Sequence, residues 1–120
     1  MRGLGDLEAA IMDVLWHEAA PLNVRGVLAR LKTDRVLAYT TVMTVLDNLH
    51  SKEWVTRELV GKAYYYRPMH TKAEAAANLL RKVLDDSGDP QAVLLHFTQT
   101  ASEVESAMLR NALRKKRSRP

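Results

Sequence analysis

The side chains best suited to form specific hydrogen bonds lie in one stretch, Tyr39–Lys52. Thr40, Thr41, Thr44, Asp47, Asn48 and Ser51 share one face of a helix there, while Val42, Val45, Leu46 and Leu49 take the other at i, i+3, i+4 and i+7. Threonine is a weak helix former, because its branched β-carbon loses rotamer freedom against the preceding turn. A helix that turns three threonines outward gives up stability and gains hydroxyls at fixed positions. Such groups match the donor and acceptor pattern that base edges present in a major groove. Tyr39 opens the stretch, and Met43 beside Thr44 is suited to a thymine methyl. Asp47 runs against the reading, since a carboxylate sits poorly near phosphate; it either accepts from a cytosine amine or points sideways. By periodicity alone, an ordinary solvated helix face explains the pattern equally well.

No competing chemistry is legible. There is no Gly-rich phosphate loop, no Gly-x-Ser-x-Gly elbow and no close pair of acids with a cleft, and Asp85 and Asp86 diverge around a helix. His17, His50, His70 and His96 are scattered, with no ligand spacing, and there is no cysteine to hold a metal or act as a nucleophile. The expectation is a protein that is not an enzyme and carries no cofactor and no metal.

The elements that must hold the threonine face follow from periodicity. A first helix covers residues 6–18, with Asp6 as N-cap, Glu8 in the first turn and Leu7, Ile11, Val14 and Leu15 as its apolar face. Pro21 stops it. Asn23 caps a second helix carrying Val24, Val27, Leu28 and Leu31, and Thr33-Asp34-Arg35 is a polar connection to the threonine helix. The period then changes to two. Val55–Val60 and Ala63–Arg67 flank Gly61-Lys62 as a hairpin, ended by Pro68. Alternation sets Tyr64 and Tyr66 on one side and Tyr65 on the other; two rings packed on the core is the expected arrangement, with base stacking the alternative. Two short helices, a polar-faced third and a hairpin make a winged helix-turn-helix, so residues 1–70 form a DNA-binding domain. Its third helix would enter the major groove, with Arg57, Lys62 and Arg67 of the hairpin on phosphate.

Residues 71–120 are helical again, capped by Thr71-Lys72-Ala73-Glu74, broken at Ser87-Gly88-Asp89-Pro90, and capped a second time by Thr100-Ala101-Ser102-Glu103. Ala76, Leu80, Val83, Leu84, Leu94, Leu95, Phe97, Val104 and Met108 give this segment more apolar surface than three short helices can bury among themselves. A second copy is the simplest cover, so the segment is expected to be a helical dimerisation domain. Two recognition helices about 34 Å apart would then meet successive turns of a palindromic duplex. The fold class is mainly α with a small β-hairpin.

Charge distribution matters more than its sum. The chain carries 18 Lys and Arg against 14 Asp and Glu over 120 residues, yet Arg110, Arg114, Lys115, Lys116, Arg117 and Arg119 supply six of the bases in the last eleven. Without that tail the remainder is net −2. The tail is either a solvated end or a weak phosphate contact. No run approaches the roughly 20 apolar residues of a membrane span. With no cysteine and no apolar leader, a cytoplasmic, nucleoid-associated location is expected.

These residues resemble the BlaI/MecI penicillinase repressors, a family that includes copper-responsive CopY-type members. Four stretches carry the likeness: Leu4-Gly5-Asp6-Leu7-Glu8 with Ile11–Trp16, Val24-Arg25-Gly26-Val27, Tyr39–Leu49 with its Thr-Thr-Val-Met-Thr-Val-Leu run, and Gly61-Lys62-Ala63-Tyr64-Tyr65-Tyr66-Arg67-Pro68. The resemblance spans about residues 4–114 and implies a homodimeric repressor on palindromic operators with TACA and TGTA halves, in β-lactam or metal-responsive control. It also implies a sensor-linked protease that cuts the dimerisation domain at an Asn-Phe bond. His96-Phe97 stands at that place, which departs from the family pattern, and the Cys-x-Cys pairs of copper-responsive members are absent. Two other readings stay open: a winged-helix protein–protein adaptor, and a nonspecific DNA binder driven by the basic tail.

Overall fold

The computed structural model describes residues 1, 3–32 and 36–118, so the connection read at Thr33-Asp34-Arg35 and the last base, Arg119, lie outside the described residues. The order is α1 (Asp6–His17), α2 (Val24–Arg30), α3 (Tyr39–Ser51), β1 (Val55–Val60), β2 (Ala63–Pro68), α4 (Lys72–Asp86), α5 (Pro90–Thr100) and α6 (Glu103–Arg117). The expected class, mainly α with one antiparallel hairpin in a winged helix-turn-helix order, is the observed one. The chain divides into two compact units, Met1–Leu79 and Leu80–Pro120, and the division falls inside α4.

Unit 1 has a closed core. Ile11, Met12 and Leu15 of α1, Val24 and Val27 of α2, Val42, Leu46 and Leu49 of α3, Val55 of β1 and Tyr66 of β2 are all buried. Apart from Met12, these lie among the apolar positions that helical and strand periodicity select; Leu7 and Val14, also expected on the buried face of α1, are half-buried. α1 starts one residue earlier than its sequence suggests: Gly5 is the N-cap and Asp6 the first helical residue. Gly5 has no side chain to offer, so the cap rests on Glu8, whose Oε1 accepts from the Gly5 amide at 2.9 Å and which also meets Lys52 Nζ at 2.9 Å. Asn23 caps α2 as expected, its Oδ1 accepting from Gly26 N at 2.8 Å.

α3 ends in a backbone motif with no glycine. Glu53 takes a left-handed φ of 64°, Glu53 N donates to His50 O at 3.1 Å, and Trp54 N donates to Leu49 O at 2.9 Å. This pair of bonds satisfies carbonyls that the last helical turn leaves open. It also turns the chain directly into β1.

The hairpin pairs Val55 with Pro68 through to Val60 with Ala63, and Gly61 takes a φ of 65° at the turn. A third segment joins it. Leu22 and Tyr66 exchange backbone hydrogen bonds of 3.0 and 2.8 Å, so the α1–α2 connection pins the outer edge of β2. The expectation of two rings on the core is corrected. Tyr66 is 1% exposed, but Tyr64, two residues nearer the tip, is 41% exposed and only leans on Tyr66 at 6.4 Å between centroids.

The first turn of α4 belongs to unit 1. Thr71 and Glu74 form the predicted capping box at 2.9 and 3.0 Å, Trp16 Nε1 donates to His70 O at 3.0 Å, and Ala75 is buried.

Unit 2 holds the end of α4 with α5 and α6. Asp89 caps α5, accepting from Ala92 N at 3.1 Å, with Pro90 in its first turn. The box that opens α6 is Ser102–Glu105, with bonds of 3.1 and 2.9 Å, and not Thr100–Glu103. Thr100 is instead the last residue of α5, and its hydroxyl donates back to Phe97 O at 2.8 Å. Among the described residues, no helix is long and apolar enough to cross a membrane.

Candidate nucleic-acid interface

The face of α3 away from the core carries the reading groups that the sequence selects. Val42, Leu46 and Leu49 anchor the helix, which leaves Tyr39, Thr40, Thr41, Met43, Thr44 and Asn48 exposed. The Thr44 hydroxyl donates to Thr40 O at 2.9 Å, so its remaining capacity toward a partner is to accept. A shallow cleft of about 250 Å³ opens between this helix, the start of α2 and the hairpin. Tyr39, Met43 and Lys62 line it together with Arg25 and Asn23. Lys62 stands at the exposed turn of the hairpin, where its ammonium can follow a backbone.

The three hairpin cations do not lie on one face of the hairpin. Arg57 faces the core side, opposite Tyr66 in the ladder, and its Nη1 donates to Asp47 Oδ1 at 3.0 Å. Arg67 is exposed on the other face and shares a second groove with Pro21, Thr56, Glu58 and Tyr65, a groove that Arg57 also lines. Tyr65 is held there, its hydroxyl accepting from Asn23 Nδ2 at 3.4 Å. Alternation along a strand places residues 57 and 67 on opposite sides whenever 57 pairs with 66. Asp47 points sideways to the hairpin, one of the two outcomes open from sequence.

Arg25 is the residue that sequence reasoning passed over. It is exposed on α2, and its Cζ lies 5.8 Å from the Tyr39 ring centroid. A cation–π contact of this kind orients both side chains at the edge of the reading face. Its signal was present in the sequence: a base two residues after the α2 cap, on the side away from Val24 and Val27.

Burial pushes the Tyr66 phenol above its ordinary value, and the neighbouring Asp47 carboxylate adds to that rise against the opposing effect of Arg57. The ring therefore stays a neutral donor, and its hydroxyl reaches Asp47 Oδ1 at 3.4 Å. Among the described residues, no group of three His, Asp or Glu side chains is placed to hold a metal ion.

The remaining sequence-selected residues lie in or beside unit 2. Leu80, Val83, Leu94, Leu95, Phe97, Val104 and Met108 are exposed, while Ala76 and Leu84 are half-buried. The His96–Phe97 bond lies inside α5, with Phe97 54% exposed.

The penicillinase repressor family model matches residues 4–115. The transcriptional regulator BlaI of Mycobacterium tuberculosis, in two strains, is 44% identical over 113 residues, covering 92% of this chain and 82% of the relative. Among solved structures, FabT of Streptococcus pneumoniae in complex with DNA aligns at a TM-score of 0.49 and 20% identity, over 95% of this chain and 73% of that one. A MarR/EmrR family transcriptional regulator from Acinetobacter sp. ADP1 aligns at 0.47 and 20% identity, over 97% and 75%. With a family match across nearly its whole length and a winged helix that presents hydroxyls on its third helix, the chain belongs to the penicillinase repressor family, whose members are non-enzymatic transcriptional repressors.

Proposed function

We propose that this repressor binds a palindromic promoter operator with TACA and TGTA halves as a homodimer, and blocks transcription by occupying it. The observation that carries the reading is the α3 face: Thr40, Thr41, Thr44 and Asn48 are exposed together on a helix locked to a closed core. Hydroxyl and amide groups fixed in this way read base edges, while Arg25 and Lys62 beside them set position on the backbone. The apolar side chains left open on unit 2 are the surface for the second copy. Two linked half-sites bind far more tightly than one, through effective concentration, so loss of the dimer would release the operator. In this reading the regulated genes serve β-lactam resistance or a metal or stress response. A sensor-linked protease would end repression by cutting at His96-Phe97, which requires α5 to unwind locally around the exposed Phe97.

Fluorescence anisotropy with duplex DNA tests the reading. A TACA/TGTA palindrome is compared with a scrambled duplex, in a salt series, for the wild type and for Thr41→Ala/Thr44→Ala. Each good base contact is worth about 1–3 kcal/mol of discrimination, so the double variant is expected to lose at least tenfold in preference for the palindrome. Equal binding of both duplexes by the wild type would sink operator recognition. No duplex binding at all would favour a protein–protein adaptor.

A further inference from the structure

Arg57 has the charge of a phosphate contact, but the fold commits its guanidinium elsewhere. Nη1 is 3.0 Å from Asp47 Oδ1, and Cζ sits 4.2 Å from the centroid of the Tyr64 ring. The same Asp47 oxygen lies 3.4 Å from the hydroxyl of Tyr66, which is itself in the core. The Arg57 side chain is only 25% exposed, against 52% for Asp47. One ion pair therefore joins three elements: Asp47 from α3, Arg57 from β1 and the two tyrosines from β2.

We propose that Asp47 and Arg57 are positioning residues, which fix the hairpin against α3 and make no contact with nucleic acid themselves. A two-stranded hairpin is marginal alone, and beyond Tyr66 this one has no buried side chain to hold it. Tyr64, Leu59 and Val60 are all exposed toward the tip. The pair supplies the missing hold at the point where the hairpin leaves the core. It also neutralises a carboxylate on the helix face that would otherwise repel phosphate. A planar guanidinium can fork to a carboxylate and stack on a ring at once, which lysine cannot do. The consequence for DNA rests on the operator reading above; the consequence for the hairpin does not.

The test uses the full chain as Asp47→Asn, Arg57→Met, Arg57→Lys and the double variant Asp47→Asn/Arg57→Met. Hydrogen exchange in the free protein comes first. Each single change is expected to speed exchange of the tip amides, Val60 to Tyr64, by roughly three- to tenfold, with the double variant no faster than the faster single. Amides in the α1 and α3 core stay unchanged. Operator and scrambled duplexes across a salt series come second. The pair predicts that Asp47→Asn lowers the preference for the operator several-fold, although the change removes a negative charge from the DNA-facing helix. It predicts that Arg57→Met leaves the salt slope as it was, and that Arg57→Lys does not restore the preference. A phosphate-binding Arg57 predicts the reverse: a slope smaller by about 0.9 in Arg57→Met, equal losses on both duplexes, and rescue by lysine. That pattern, or unchanged hairpin exchange in both single variants, overturns the proposal. A wild type without duplex preference ends the operator reading alone, and the exchange rates then decide whether the pair holds the hairpin.

Discussion

From Met1 to Leu79, side chains from three helices and both strands shut one another away from solvent, and six of them, Ile11, Met12, Val27, Val42, Leu46 and Leu49, are wholly buried. From Leu80 onward no described residue is buried, although the segment carries ten Leu, Val and Met side chains. Leu80 is 62% exposed and Met108 is 64% exposed. Unit 2 is the less apolar of the two, but composition alone does not explain the contrast. In unit 1 a helix pair, a third helix and a hairpin offer faces in different directions, so each apolar stripe finds a partner. Unit 2 has short helices whose stripes outnumber the surfaces available to cover them. A small helical unit of this kind falls below the size at which a core sustains itself.

Dividing the chain tests this contrast most severely. Residues 1–79 alone are expected to unfold cooperatively with heat, because their core is complete. Residues 80–120 alone, at micromolar concentration, are expected to lose most of their helical circular dichroism, since isolated helices of this length are marginal in water. A cooperative melt of the second fragment as a monomer would erase the distinction between the two regions.

In the full chain the same contrast appears as assembly. Leu80→Asp places a charge in the open apolar surface and replaces no residue of the unit 1 core. Under the proposed function it is expected to yield monomers in sedimentation and to weaken operator binding by about a hundredfold, the low end of what linked sites contribute. Unchanged affinity in a monomeric variant would separate DNA reading from dimerisation.

The basic tail gives a smaller effect. Deleting residues 114–120 removes Arg114, Lys115, Lys116, Arg117 and Arg119 from the end of unit 2. Binding of operator and scrambled duplexes is expected to fall together, with a shallower salt slope, while the ratio between them holds. Loss of the ratio would move sequence discrimination away from α3.

Where the sequence could be read and where it could not divide along similar lines. The core of unit 1 was legible because Val42, Leu46 and Leu49 and their counterparts repeat at a period that no other arrangement explains. The outward threonines were legible as the complement of that face. Pairings between elements were not. Nothing in the residues between α1 and α2 marks Leu22 as a partner of Tyr66, since one bridge has no alternation to reveal it. Asp47 and Arg57 become neighbours only once β1 has been turned back onto α3 by Glu53, a residue type that seldom takes a left-handed φ. The capping boxes show a third case. Thr100-x-x-Glu103 and Ser102-x-x-Glu105 overlap in frame, and only the commitment of Thr100 to the end of α5 selects the second.

Those boxes allow a last prediction, which compares the two regions through one kind of residue. Glu8 and Glu105 both hold an N-cap amide, and both carboxyls lie below their ordinary value. For Glu8 the main cause is the bond from the Gly5 amide, which outweighs the opposing effect of burial, and Lys52 adds to it. A carboxylate favoured by the folded state stabilises the protein above its unfolded value of about 4.5, and that contribution is lost as the pH falls through the lower folded value. Glu8→Gln is therefore expected to cost about 1 kcal/mol near neutral pH, with a difference from wild type that shrinks toward zero on acidification. Among the described residues Glu105 has no ion-pair partner of this kind, and it caps a helix in the unit without a core. Glu105→Gln should leave the unfolding of unit 1 unmoved and reduce helicity only in unit 2. Urea melts at several pH values, read by the Trp16 and Trp54 fluorescence of unit 1 and separately by circular dichroism, distinguish the two. If Glu105→Gln shifted the tryptophan transition as much as Glu8→Gln does, the two units would be unfolding as one.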